Sequence, residues 1–343
     1  MRGTSPSLRG TKQSSPLDCQ ASLAVTSGKK SSFSDHSGPS EVKGTCSFYG
    51  LIRKKMKTYY YVHTGHRIGL DRFRRACTIM RLLKDADITL LCSDFRIAQV
   101  ASEFGVEKSV GIDVVRNLPQ ISHNGDKIIF DSQEANPIML DDMRNYFSKF
   151  IRVSDKKDDK KEEKEFLISP YLDGVDILNT LVVDDKYFQK EEKTIELSYF
   201  FGDDDYDKQL ETNFSLLDGL EPHLLLGFYY FFDYEDMLKE KFVKYYEFEE
   251  YDEVIKKSKV LITASPQAAL ENLASGGKPI FIQRADYTQD FKELFKKLNI
   301  PTVENYENRQ LLTTLKSLAK HEYYKVEQNS SILKDFIKES LNL

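Results

Sequence analysis

The segment 259-KVLITASPQAALENLASGGKPIFIQ-283 decides how the chain is read. It opens with an apolar, β-branched run of strand length, broken at Ala264-Ser265-Pro266. Ser265 stands where a helix N-cap is wanted, with Pro266 at the first helical position. A helical stretch follows, Gly276-Gly277 break it, and residues 278–283 read as a second strand. Strand–helix–strand units of this kind build parallel sheets, and ligands sit beyond the carboxyl ends of their strands. Small and polar residues, followed by a carboxylate at Glu271, occupy that corner.

The same alternation runs through the rest of the chain from Thr58. Strand 58-TYYYVH-63, turn 64-TGHRIG-69 and helix 70-LDRFRRACTIMRLLKD-85 come first, with Phe73, Cys77, Met80 and Leu83 on one helical face. Strands are expected at 87–93, 108–112, 127–132 and 149–155, with helices at 94–105 and 137–148. The run 155-DKKDDKKEEKE-165 has no apolar member and reads as a solvated loop. A second half repeats the pattern: strand 194–202, helix 207–217, strand 223–231, helix 233–242, strand 243–248, helix 249–258, the opening segment, helix 287–299, strand 301–305 and helices 307–321 and 329–341. The fold class is therefore α/β, with two Rossmann-like domains of mostly parallel sheet facing across a cleft. The expected organisation is 56–175 for the first domain, 176–325 for the second, and 326–343 as a last helix packing back on the first.

Composition limits the function. The 343 residues are 40% hydrophobic and 30% charged, as in a globular protein, and suffice for two cores. Of the net charge of −5, residues 1–55 carry +6 (nine Lys/Arg against three Asp/Glu), leaving −11 on the body. An acidic body argues against nucleic acid as partner, because phosphate neutralisation needs clustered Lys/Arg. No run approaches the ~20 apolar residues of a membrane span. Cys19, Cys46, Cys77 and Cys92 lack metal-ligand spacing, which suits reduced thiols and a cytoplasmic location. Residues 1–55, with twelve Ser and six Gly, resemble the translation of an intergenic repeat; they are expected to be disordered or spurious, with Met56 as the start.

Three landmarks give the body a resemblance to the GT-B nucleotide-sugar enzymes, nearest the UDP-sugar hydrolases of the pseudaminic-acid pathway and more distantly the lipid II-forming N-acetylglucosaminyl transferase. In 68-IGLDRFRR-75, Gly69 and Arg75 match a glycine-rich turn opening the first helix, while Asp71 replaces its second glycine and Arg72 the histidine that activates water in the hydrolases. In 200-FFGDDDYDKQL-210, Gly202 and Asp205 match a diphosphate-cradling loop. One Asp there is expected to cap the following helix and the others to face solvent. In the opening segment Thr263, Ser265, Gln267 and Glu271 match a nucleotide-binding S-x-x-x-x-x-E pattern whose glutamate holds the ribose.

The resemblance implies a UDP-sugar glycosyltransferase or hydrolase of surface-glycan or nonulosonic-acid biosynthesis. His66, Asp71 and Arg72 would face the reacting carbon, and Gly69, Gly202, Thr263, Ser265, Gln267 and Glu271 would hold the nucleotide. His63 is a second imidazole from the same loop. The nucleotide-sugar is the partner and substrate, and no metal or other cofactor is implied. The altered first loop and the acidic second loop leave open a GT-B-like protein that binds without turnover. A dinucleotide enzyme is disfavoured, since no GxGxxG follows the first strand.

Overall fold

In a computed structural model, residues 55–343 are described; the reading of residues 1–55 as a leader falls almost wholly outside them. Thirteen strands fall into two sheets. The first comprises β1 (Thr58–Val62), β2 (Ile88–Cys92), β3 (Ser109–Gly111), β4 (Lys127–Asp131), β5 (Lys149–Val153), β6 (Phe166–Ser169) and β7 (Ile177–Asn179), in the order β3-β2-β1-β4-β5-β6-β7. The second comprises β8 (Ile195–Phe200), β9 (His223–Leu225), β10 (Tyr245–Tyr246), β11 (Ser258–Thr263), β12 (Lys278–Ile282) and β13 (Thr302–Val303), in the order β10-β9-β8-β11-β12-β13. Every pairing is parallel. Both sheets reverse direction in strand order beside their first strand, at β1/β4 and at β8/β11, and such switch points open a crevice at the carboxyl ends.

The helices are α1 (Asp71–Leu82), α2 (Phe95–Val100), α3 (Leu118–Ile121), α4 (Pro137–Tyr146), α5 (Gln209–Thr212), α6 (Phe232–Lys241), α7 (Tyr251–Lys257), α8 (Pro266–Ala274), α9 (Phe291–Lys297), α10 (Asn308–Ser317) and α11 (Ser330–Leu341). They cover both faces of the sheets, so the central strands are buried on both sides. Along β1, Tyr60 and Val62 join one core with Phe73 and Cys77 of α1, while Tyr59 and Tyr61 join another with Phe130, Met143 and Phe147. Along β8, Tyr199 and Phe200 divide in the same way. Leu333, Ile337 and Leu341 of α11 lie in the first sheet's core beside Ile151 and Ile168.

The aromatic run at 223–231 is the main departure from the expected elements. Its strand ends at Leu225. Gly227 presses on the loop after β8: a Cβ there would lie 2.4 Å from the Gly202 carbonyl oxygen. The Tyr229 N–H donates to the Asp203 carbonyl at 2.8 Å, which turns the chain into α6. Tertiary contact overrides a strong local β propensity here. The helix expected over 207–217 is instead the single turn α5 followed by a 3₁₀ turn at Phe214–Leu217, with Lys208 left-handed at φ 50°. The helix expected from 287 starts only at Phe291.

Replacing Ile337, which is fully buried, with Ala should lower stability by about 2–5 kcal/mol. Urea unfolding of the full chain measures this, and an unchanged midpoint would show that α11 is dispensable to the first core.

Candidate active site in the crease between the sheets

The corner after β11 forms as its residues dictate. The Ser265 N–H donates to Thr263 Oγ1 at 3.0 Å, and Ser265 Oγ accepts the Ala268 N–H at 3.1 Å, capping α8 behind Pro266. The first amides of a helix carry a partial positive charge and no intrahelical acceptor. An anion already occupies this helix start. The Asp71 carboxylate, from the first residue of α1, accepts the Ser265 hydroxyl at 2.6 Å and approaches the Gln267 N–H at 3.4 Å. Burial pushes the Asp71 carboxyl above its ordinary value, while the Ser265 hydroxyl and nearby Arg74 pull it back.

The same face of α1 makes further contacts with the second sheet. Arg74 grips Asp203 with both guanidinium nitrogens, one bond measuring 2.8 Å, and its guanidinium lies 3.6 Å above the Tyr251 ring. Farther along, Arg81 pairs with Asp184. Between Gly202 and Ser265 on one side and Gly69 and Asp71 on the other, only about 20 Å³ stays open. Gly69 and Gly202 are both left-handed, at φ 78° and 129°, which is why glycine stands at each turn.

The three acids after Gly202 are all buried, which corrects the expectation that two of them face solvent. Asp205 does cap α5, accepting the Gln209 and Leu210 N–H groups at 2.7 and 3.0 Å. Asp203 faces Arg74, and Asp204 lies 3.3 Å from His66 Nδ1. Asp203 is drawn inward by Arg74 of α1 and Asp204 by the His66 ring, while Asp205 is held by the α5 amides and the Tyr234 hydroxyl. Among the described residues, no group of three or more His, Cys, Asp or Glu side chains is arranged to hold a metal ion.

Glu271 is buried at 1% exposure. It accepts the Tyr251 hydroxyl at 2.7 Å and the Gln267 side-chain amide at 2.9 Å. Burial pushes its carboxyl from 4.5 to about 7, against the opposing pull of those two donors and Arg74. Glu271, Tyr251, Arg74, Arg81 and Phe104 border a cavity of about 430 Å³.

A second cavity of about 170 Å³ lies on the other side of the Asp71–Ser265 contact, bordered by His63, Arg72, Arg75, Gln267 and Tyr287 among others. Arg75 holds Asp131 at 2.7 and 2.9 Å and Asp155 at 2.5 and 3.1 Å. Arg72 comes only within 3.8 Å of Asp131 and 3.9 Å of Asp155. Burial lowers the pKa of His63, so its ring is neutral near pH 7. His66 borders neither cavity: its Nε2 meets Arg96 at 3.0 Å, and its ring stacks on Phe231 with centroids 5.6 Å apart.

The crease thus gathers Gly69, Asp71, Arg72, Gly202, Thr263, Ser265, Gln267 and Glu271 and leaves His66 at its rim. Sequence reasoning missed Arg74 and Tyr287. A signal existed for Arg74: Asp71, Arg74, Thr78 and Arg81 recur at three- and four-residue intervals, a polar stripe on α1 beside its apolar one.

The two parallel Rossmann-like domains define a GT-B-like fold. No protein-family model matches the sequence, and no curated protein matches it. Solved structures match across the fold. S. aureus MnaA, solved with UDP, aligns with a TM-score of 0.57 and 13% identity, over 84% of this chain and 98% of that one. The spinosyn rhamnosyltransferase SpnG, solved with thymidine diphosphate, aligns at 0.52 and 8%, over 84% and 96%. The UDP-GlcNAc 2-epimerase of Neisseria meningitidis, bound to UDP-GlcNAc, aligns at 0.51 and 10%, over 83% and 100%. At these identities the likeness is one of fold.

Glu271 makes stability pH-dependent in a defined direction. Between pH 4.5 and about 7 the folded protein keeps a proton that the unfolded chain releases, so its stability falls as pH rises through that window. Relative to Glu271→Gln, the native protein should lose up to about 3 kcal/mol across it, at about 1.4 kcal/mol per pH unit. Urea unfolding of both proteins at a series of pH values tests this; parallel curves would refute it.

Proposed function

We propose that the crease binds a nucleoside diphosphate-sugar, UDP by resemblance, and that the protein is a glycosyltransferase of surface-glycan or nonulosonic-acid biosynthesis. The observation that carries this reading is the anion at the start of α8. The Ser265 hydroxyl holds a carboxylate beside the Gln267 N–H at the switch point of a parallel sheet, where the same groups would hold a phosphate. The base and ribose would lie in the 430 Å³ cavity beside Glu271, the diphosphate between Gly202 and Ser265, and the sugar in the cavity beside Arg72. The fold shared with MnaA and SpnG supports it, since both were solved with a nucleoside diphosphate.

The diphosphate must displace Asp71 from Ser265. Once freed, the Asp71 carboxylate would stand beside the sugar with a raised pKa suited to taking a proton from an acceptor hydroxyl. Departure of the nucleotide needs positive charge, which Arg67, Arg72 and the α8 amides would supply. Transfer fits these residues better than hydrolysis, because Arg72 stands where the hydrolases place their water-activating histidine and His66 is engaged by Asp204 and Arg96.

Calorimetric titration with UDP tests the reading. If the carboxylate holds the seat nine-tenths of the time, Asp71→Gly should bind UDP about tenfold more tightly. No heat from either protein at millimolar UDP would overturn the proposal. A second reading, a GT-B-like protein that binds without turnover, draws support from the inward hydrogen bonds of Glu271 and the closed gap beside Gly202. UDP binding without turnover of any UDP-sugar would favour it. Glu271→Ala binding UDP as well as the parent would reduce the corner to scaffold.

A further inference from the structure

The 170 Å³ cavity is smaller than the roughly 300–1,000 Å³ of pockets that take whole drug-sized ligands, and suits one ring-sized group. Two of its acids are held by arginines: Arg75 holds Asp155, and Arg284 holds Asp286 at 2.7 and 2.9 Å. The third, Asp71, is the one the diphosphate frees to take the acceptor's proton. Two of the cavity's donors are unengaged. The Arg72 side chain is 14% exposed, yet among the described residues it makes no hydrogen bond, and its two acidic neighbours lie beyond hydrogen-bond distance and are held by Arg75. The Tyr287 hydroxyl, kept protonated by burial, likewise makes none. Tyr287 borders both this cavity and the gap at the α8 start, which places it between the diphosphate seat and the sugar space. Arg67 at the mouth forms no ion pair among the described residues and lies over the Tyr206 ring at 4.1 Å.

Both residues are half-buried, and their donors stay open to a ligand that enters the cavity. A guanidinium carries only donors, and its planar fork matches a carboxylate. A neutral hexose would leave the half-buried Arg72 guanidinium without a hydrogen-bonded counter-ion.

We propose that the transferred sugar is an acidic one, its carboxylate read by Arg72 and Tyr287. This rests on the nucleotide-sugar reading and names the substrate class within it. Arg72 and Tyr287 are then the specificity-determining residues of the sugar subsite.

The test is calorimetry of the full chain with UDP, UDP-glucose, UDP-glucuronic acid and UDP-galacturonic acid. At least one uronate should bind tenfold or more tightly than UDP-glucose. Arg72→Gln should bring that ratio close to one, Tyr287→Phe should reduce it severalfold, and Arg72→Lys should restore part of it. UDP binding with no preference for either uronate in the native protein overturns the inference and leaves the nucleotide reading standing. Absence of binding by all four ligands overturns both. Free glucuronate that binds only in the presence of UDP, with no preference among the UDP-sugars, places the acid on the acceptor and overturns the donor assignment. The native ratio decides the matter even if a variant fails to fold.

Discussion

The buried pair of Arg74 and Asp203 is the contact on which the geometry of the crease depends. Arg74 sits one turn into α1, and Asp203 follows the central strand of the second sheet. Each would be costly to bury alone, since an unpaired charge in the interior loses its hydration without compensation. Paired, and with Tyr251 beneath the guanidinium, they fix α1 against the loop after β8. A buried ion pair adds little net stability over an apolar contact of the same shape, but its geometry is demanding. Its consequence is positional: with Arg74 held there, Asp71 lies one turn earlier on the same face and reaches the start of α8.

That placement organises the charges around it. The crease gathers many carboxylates, yet each has a partner: Asp71 on Ser265, Asp131 and Asp155 sharing Arg75, Asp204 beside His66, Asp205 on the amides of α5. The helix start at Ser265 attracts an anion, and the protein supplies one from its own chain. Glu271, one turn and a half along α8, is enclosed between Tyr251 and Gln267. The amide of Gln267 also donates to the Val182 carbonyl at 3.0 Å, tying this glutamate to the segment that joins the two sheets.

Much of the frame was legible beforehand. The strands from Thr58 to Val153 and the strand–helix–strand unit at 258–282 lie close to where hydrophobic runs and capping residues put them. Ser265 caps α8 and Asp205 caps α5, both through groups within five residues in sequence. The errors fall where distant segments meet. The aromatic run at 223–231 has the composition of a long strand, but Gly227 and Tyr229 are held by the loop at 202–203, and the strand ends after three residues. Asp203 and Asp204 read as solvent-facing turn residues, and their buried state follows from Arg74 and His66, more than 120 positions earlier.

What the sequence determined by itself was therefore the alternation of strands and helices, the parallel α/β class, the caps, and the corner at Thr263–Glu271. All of these are set by periodicity and by hydrogen bonds between near neighbours. The tertiary structure alone decided which groups fill the crease: Asp71 at the α8 start 194 residues away in sequence, Arg74 on Asp203, Glu271 closed off by Tyr251, and Arg72 left, among the described residues, without a hydrogen bond. The physical reason is that a side chain's charge and hydrogen-bonding capacity are fixed by its type, whereas its partner is fixed by packing that brings remote segments to within 3 Å.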